Sequence, residues 1–129
     1  MIEVNNISFR YKGTKRNIFT DFSLKLEANN IYGLLGKNGT GKSTLLYLIS
    51  GLLRPKTGNV IIDGNEATLR LPDMLKEIFL VPEEFVLPSV TLNTYVKMNE
   101  PFYPRSSHHA LESCLKDCDF PPPPKLNEL

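Results

Sequence analysis

A chain of 129 residues is the length of one domain, and a fold of that size buries roughly two thirds of its unfolded surface. Fifteen Lys and Arg against 14 Asp and Glu leave a net charge of +1, so no bulk field draws nucleic acid or an anionic membrane and neither is expected as a partner on charge alone. Two cysteines, Cys114 and Cys118, are too few for a disulfide framework and share one candidate helix, which suits a reducing compartment. The first residues, Met1 to Asn5, lack the basic and then apolar order of a secretory signal and read as a mature cytosolic start. No segment approaches the roughly 18 consecutive apolar residues that span a bilayer, so work at a membrane would need another chain to provide the span.

Ile2, Val4, Ile7 and Phe9 are apolar among polar neighbours and predict a strand over residues 2–10, in which Asn5-Asn6 breaks the alternation and marks a bulge or a change of face. A polar, basic turn from Tyr11 to Asn17 follows, and Ile18, Phe19, Phe22, Leu24 and Leu26 line a second strand, the pair forming an antiparallel flap. Residues 31–35 have no polar face, the texture of a strand covered on both sides in an α/β sheet. A helix from Gly41 to Ser50 presents Leu45, Leu46, Leu48 and Ile49, with Gly51 as a left-handed cap. Val60-Ile61-Ile62-Asp63 predicts a short strand ending at an Asp63-Gly64 turn; residues 72–77 a short helix; Ile78 to Val81 another apolar strand, ended by Pro82. Thr91 caps a helix that Pro101 interrupts, Ser106 or Ser107 caps one carrying Ala110, Leu111, Cys114, Leu115 and Cys118, and Pro121 to Pro124 enforce an extended segment.

Between the apolar run 31–35 and the predicted helix stands Gly36-Lys37-Asn38-Gly39-Thr40-Gly41-Lys42-Ser43, which fits G-x-x-x-x-G-K-[ST] at every specified position. Strand, loop and helix are the context that a phosphate-binding loop requires. Gly36, Gly39 and Gly41 can take positive φ and leave successive N–H groups free to face phosphate oxygens, and the helix N-terminus adds its partial positive charge. Lys42 is expected at the β- and γ-phosphates, the Ser43 hydroxyl on Mg²⁺, and Thr44 on the α-phosphate side. At ~1.5–3 kcal/mol per charge-assisted bond, several such contacts suffice for micromolar binding of a nucleoside triphosphate. Kinases, GTPases and transport ATPases share this loop, so it does not by itself name the machine.

The flanks go further. Ile7-Ser8-Phe9-Arg10-Tyr11, the stretch from Leu24 to Tyr32, the loop continued through Thr44-Leu45-Leu46, Gly51-Leu52-Leu53-Arg54-Pro55, and Gly58-Asn59-Val60-Ile61-Ile62-Asp63-Gly64 together resemble, in order, the N-terminal half of an ATP-binding cassette (ABC) ATPase domain. The resemblance implies an α/β phosphate-loop fold, partial, with an antiparallel N-terminal β flap and the start of a helical subdomain: residues 1–81 the nucleotide-binding α/β core, parallel at its centre, and 82–129 the glutamine-loop region and the first helices. It implies ATP and Mg²⁺ as ligands, nucleotide contacts from Gly36 to Thr44, and Tyr11 as the aromatic residue that stacks on adenine. A strand-end or core tyrosine is the other reading of Tyr11. Glu83 falls where the family has a glutamine that senses the γ-phosphate and Mg²⁺; a carboxylate ligates Mg²⁺ but donates no amide hydrogen bond, Glu84 is equally available, and a solvated loop carboxylate is the other reading of both.

Leu126-Asn127-Glu128-Leu129 looks like the residues just before the family's signature. The hydrolytic parts, namely the signature, the Walker B strand ending in Asp-Glu, and the switch histidine, follow that point in the family. No catalytic residue is assigned here. Val60 to Asp63 only imitates a Walker B strand, and His108 and His109 match no family histidine. The two cysteines and two histidines fit no common zinc spacing. The resemblance implies the ATP-binding subunit of a transporter, paired with a second ATP-binding subunit, identical or not. It would sit in the cytoplasm at the inner face of the membrane through a permease subunit; Phe102 and Tyr103 match where the family meets that subunit, with ordinary local packing as their other reading. A soluble ABC-type ATPase of translation or repair, and a non-hydrolysing nucleotide-binding fragment, remain the alternatives.

Overall fold

The computed structural model describes residues 1–83, 86, 88–117 and 126. It divides into two compact units, Met1–Leu80 and Val81–Leu129.

In the first unit, β1 (Ile2–Phe9) is flanked on one side by β2 (Phe19–Leu26) and on the other by β3 (Thr57–Ile62), which turns into the short β4 (Asn65–Glu66). The sheet order is β2-β1-β3-β4 and every pairing is antiparallel. The expected break in β1 is a bulge: Val4 faces Leu24 and Ile7 faces Phe22, so one extra residue enters on β1, with Asn6 left-handed at φ 47°. A second bulge on β2, with Asp21 at φ 48°, returns the register by Phe9 opposite Phe19. Each bulge is satisfied by the other strand. The Asn6 N–H donates to Ser23 Oγ at 2.9 Å, and the Asp21 N–H donates to Ser8 Oγ at 3.1 Å.

The change of face lets Val4, Ile7 and Phe9 all point into one core, where Val4 and Ile7 are fully buried. α1 (Lys42–Ile49) lays Leu45 and Leu48, one turn apart, onto this surface with Val60, Ile62, Ala67 and Met74. Leu46 points away and is exposed, so the apolar face of α1 is narrower than its leucine count predicts. At its C-terminus, Gly51 at φ 69° donates to the Leu48 carbonyl and Leu52 to that of Tyr47, the paired bonds of a Schellman cap. Arg70 adds a guanidinium hydrogen bond to the Ser50 carbonyl at 3.0 Å. A 3-10 turn, Ala67–Leu69, and the short α2 (Pro72–Leu75) complete the unit.

Two expected strands are absent. Residues 31–35 and 78–81 carry no strand pairing, and Ile31, Leu35, Phe79 and Val81 are largely exposed. Their composition demands cover on both faces, but a parallel strand forms only when a neighbour offers a ladder. None does so among the described residues, so the expected parallel centre is not formed and the sheet is antiparallel throughout.

In the second unit, α3 (Leu92–Asn99) begins at Thr91, whose Oγ1 accepts from the Thr94 N–H at 3.3 Å. Pro101 ends it in a 3-10 turn, Glu100–Phe102. α4 (His108–Asp117) starts at Ser107 rather than Ser106: Ser107 Oγ accepts from the Ala110 N–H at 3.2 Å. Leu111 and Leu115 form its half-buried stripe, whereas Cys114 is exposed. Leu126 is buried, and its N–H donates to the Val90 carbonyl. Glu84, Cys118, Pro121 to Pro124 and residues 127–129 lie outside the described residues. No helix among the described residues is long and apolar enough to cross a membrane.

Candidate nucleotide-binding site

The chain leaves β2 at Leu26, turns at Ala28-Asn29 with Asn29 left-handed at φ 60°, and reaches the glycine-rich loop, the Glu27 N–H donating to the Tyr32 hydroxyl at 2.9 Å across the turn. Within the loop, Thr40 closes a turn on Lys37, its hydroxyl donating to the Lys37 carbonyl at 2.8 Å. Gly39 and Gly41 adopt positive φ, 78° and 99°, as their motif positions predict. Gly36 does not; it is glycine for space, since a Cβ there would stand 3.0 Å from Thr40 Oγ1. Gly41 is constrained twice over, because a Cβ would also fall 2.5 Å from Ile18 Cγ2, where the loop rests on the entry to β2.

α1 opens at Gly41, whose carbonyl accepts its first helical bond from Leu45 at 2.8 Å. No side chain caps this end and its first turn holds no acidic residue. The N–H groups of Lys42, Ser43 and Thr44 have no acceptor within the helix, and the end keeps its full partial positive charge. The Lys42 ammonium donates to the Gly36 and Lys37 carbonyls at 2.7 and 2.9 Å, so it stands across the loop rather than out in solvent. Ser43 is exposed. Such an array of donors with no built-in anion suits phosphate oxygens.

Tyr11 and Thr44 supply a contact that no sequence spacing announced. Thr44 is buried, and its Oγ1 lies 3.0 Å from the Tyr11 hydroxyl. The Tyr11 ring is held edge-on to Phe9 with centroids 5.0 Å apart and is half exposed. Tyr11, two residues beyond β1, is thus tied to the first turn of α1, beside the loop. Glu83 belongs to the second unit and is exposed, as are His108 and His109 on α4. No group of three or more potential metal ligands occurs among the described His, Cys, Asp and Glu residues; Ser43 is of another residue type.

A family model described as ABC transporter matches residues 19–121. The chain belongs to the ABC transporter family of ATP-binding proteins. An uncharacterized ABC transporter ATP-binding protein of Bacillus subtilis, YkpA, is 38% identical over 100 residues, 78% of this chain and 17% of its own. A leukotoxin translocation ATP-binding protein, LktB, of Mannheimia glucosida is 33% identical over 101 residues, 78% of this chain and 14% of its own. This ABC chain therefore spans only 14 to 17% of the length of these two relatives. Among solved structures, a putative ABC transporter ATP-binding protein from Pyrococcus furiosus superposes with a TM-score of 0.77 at 27% identity, over 99% of this chain and 62% of that one. A dimeric, post-hydrolysis ATP-binding cassette bound to ADP and Pi superposes with a TM-score of 0.74 at 25% identity, over 100% of this chain and 63% of that one. The phosphate-loop fold expected from sequence is the fold of these neighbours.

Proposed function

We propose that this chain binds Mg-ATP at the loop from Gly36 to Ser43 and serves as the nucleotide-binding part of an ABC transporter. The observation that carries the reading is the uncapped, acid-free N-terminus of α1 with the Lys42 ammonium lying across the loop before it. Gly36, Lys37, Asn38, Gly39, Thr40 and Gly41 line the phosphates with backbone groups, Lys42 meets the β- and γ-phosphates, and Thr44 serves the α-phosphate side. Tyr11, steadied by Phe9 and Thr44, offers its exposed ring face to adenine. The Ser43 hydroxyl and the Glu83 carboxylate are oxygen donors of the kind Mg²⁺ takes, and the ion would neutralise phosphate charge. On this reading residues 1–81 are the nucleotide-binding α/β core and 82–129 the glutamine-loop region and the start of the helical subdomain.

Transport enters through the relatives, of which LktB is named for leukotoxin translocation. By that analogy the chain works at the cytoplasmic face of a membrane with a permease subunit and a second ATP-binding subunit, as the dimeric neighbour suggests. Hydrolysis is assigned to the assembled cassettes of the family rather than to any residue of this chain. The test is equilibrium binding of Mg-ATP to the chain and to Lys42→Ala. Loss of one or two charge-assisted bonds lowers affinity roughly 10- to 1,000-fold. Equal affinity of the two proteins, with both folded, would remove the loop from the binding site.

A further inference from the structure

Four cations converge beside the nucleotide loop without belonging to it. Arg10, Lys12 and Lys15 follow one another at the end of β1, and the turn they occupy is held shut by the Thr14 hydroxyl and N–H, both donating to the Tyr11 carbonyl at 2.9 and 3.3 Å. By sequence alone the basic turn from Lys12 to Arg16 is a solvated hairpin tip or, as the lesser alternative, a contact for phosphates or nucleic acid. The fold adds Lys56, more than 40 residues away in the chain. Its N–H donates to the Ser8 carbonyl at 2.8 Å, and the pairing of Thr57 with Ser8 brings the start of β3 up against the end of β1. These side chains and Tyr11 wall a cavity of about 460 Å³, within the range of about 300–1,000 Å³ usual for small-ligand sites.

No acidic residue lines the cavity, and no residue of the loop 36–43 does. No ion pair among the described residues engages any of these four cations. Like charges brought together without a counter-charge repel, and each gains from an anion placed between them. The lining comes from two segments, the turn after β1 and the start of β3, and forms an open, solvent-exposed concavity rather than a stripe along one element. With a net charge of +1 there is no extended field for a polymer. We infer that this cavity is a second anion site, distinct from the nucleotide loop, for a compact polyphosphate, whether free or at the end of a nucleotide.

The experiment titrates sodium tripolyphosphate, without Mg²⁺, into the full chain and into Lys42→Ala by calorimetry, at low and high salt. Two sites in the parent and one surviving in Lys42→Ala are expected, the survivor weakened by salt because exposed charges are screened. Adding Lys56→Ala to Lys42→Ala weakens that site about tenfold, and Lys12→Glu in its place does so more strongly, while Lys76→Ala leaves it unchanged; circular dichroism verifies the fold of each. ATP that binds the surviving site as well as tripolyphosphate does identifies the ligand as a nucleotide's phosphates, and ATP that binds more weakly identifies a free polyphosphate. Loss of all binding with Lys42, survival indifferent to Lys56 and Lys12, or tighter binding of single-stranded RNA than of tripolyphosphate would each overturn the assignment.

Discussion

Thr44 follows the two functional positions of the loop motif and is the one of the three that the protein buries. The hydroxyl of a buried threonine needs a partner, and Tyr11 provides it. Tyr11→Phe keeps the ring and removes the bond, leaving the Thr44 hydroxyl unsatisfied at a cost of about 1–3 kcal/mol, measurable by denaturant unfolding. Thr44→Val in the Tyr11→Phe background should recover most of that loss, because neither partner is then stranded. Strictly additive losses in the double variant would show that the two groups do not act as a pair. At this scale the sequence was legible where a motif fixes a backbone conformation: Gly39 and Gly41 take the positive φ expected of them. It was not legible for Gly36, which is small for the sake of the Thr40 hydroxyl, nor for Ile18, whose contact with Gly41 joins residues 23 positions apart.

Among the elements, β1 is the joint of the first unit, since both of its neighbours read their register from it. Gly58, at φ 74° on β3, lies against the β1 bulge so closely that a Cβ would fall 2.2 and 2.5 Å from the Asn5 and Asn6 carbonyl oxygens. Gly58→Ala therefore forces the β1–β3 ladder apart or moves the bulge, and should destabilise by about 3 kcal/mol or more, read as a lower denaturation midpoint. A loss below about 1 kcal/mol would mean that the bulge yields freely. Period-two alternation foretold β1 and β2, and the Asn5-Asn6 interruption foretold the bulge. The compensating bulge at Asp21 left no comparable mark, because Phe19, Phe22, Leu24 and Leu26 read as a plausible strand with or without it.

For the whole chain, the strongest mismatch between composition and surroundings is the extended run 31–35. Its apolar texture promised burial, but burial belongs to neighbours and cannot be read from a strand alone; the same holds for residues 78–81. Ile31 and Leu35 are exposed, on a backbone whose N–H and C=O groups have no strand to pair with among the described residues. Such an edge recruits another strand. The purified chain should self-associate as concentration rises, seen by light scattering, and Leu35→Lys should reduce that association without lowering helix content. A parent chain that stays monomeric at high concentration would contradict this.

The two bulges of the flap carry a consequence for how such a chain tolerates insertions and deletions. They cancel, so the strands keep step only while both are present. Drawing Asn6 into the ladder with every residue kept would turn Ile7 and Phe9 out of the core and carry Tyr11 away from Thr44, whereas deleting Asn6 restores plain alternation and leaves Val4, Ile7 and Phe9 on one face. The aim of the ring proposed to meet adenine is therefore set upstream, by the alternation that follows the bulge at Asn6, and a lineage could lose that aim through a single added codon between Ile7 and Tyr11 while every residue of the phosphate loop stayed intact.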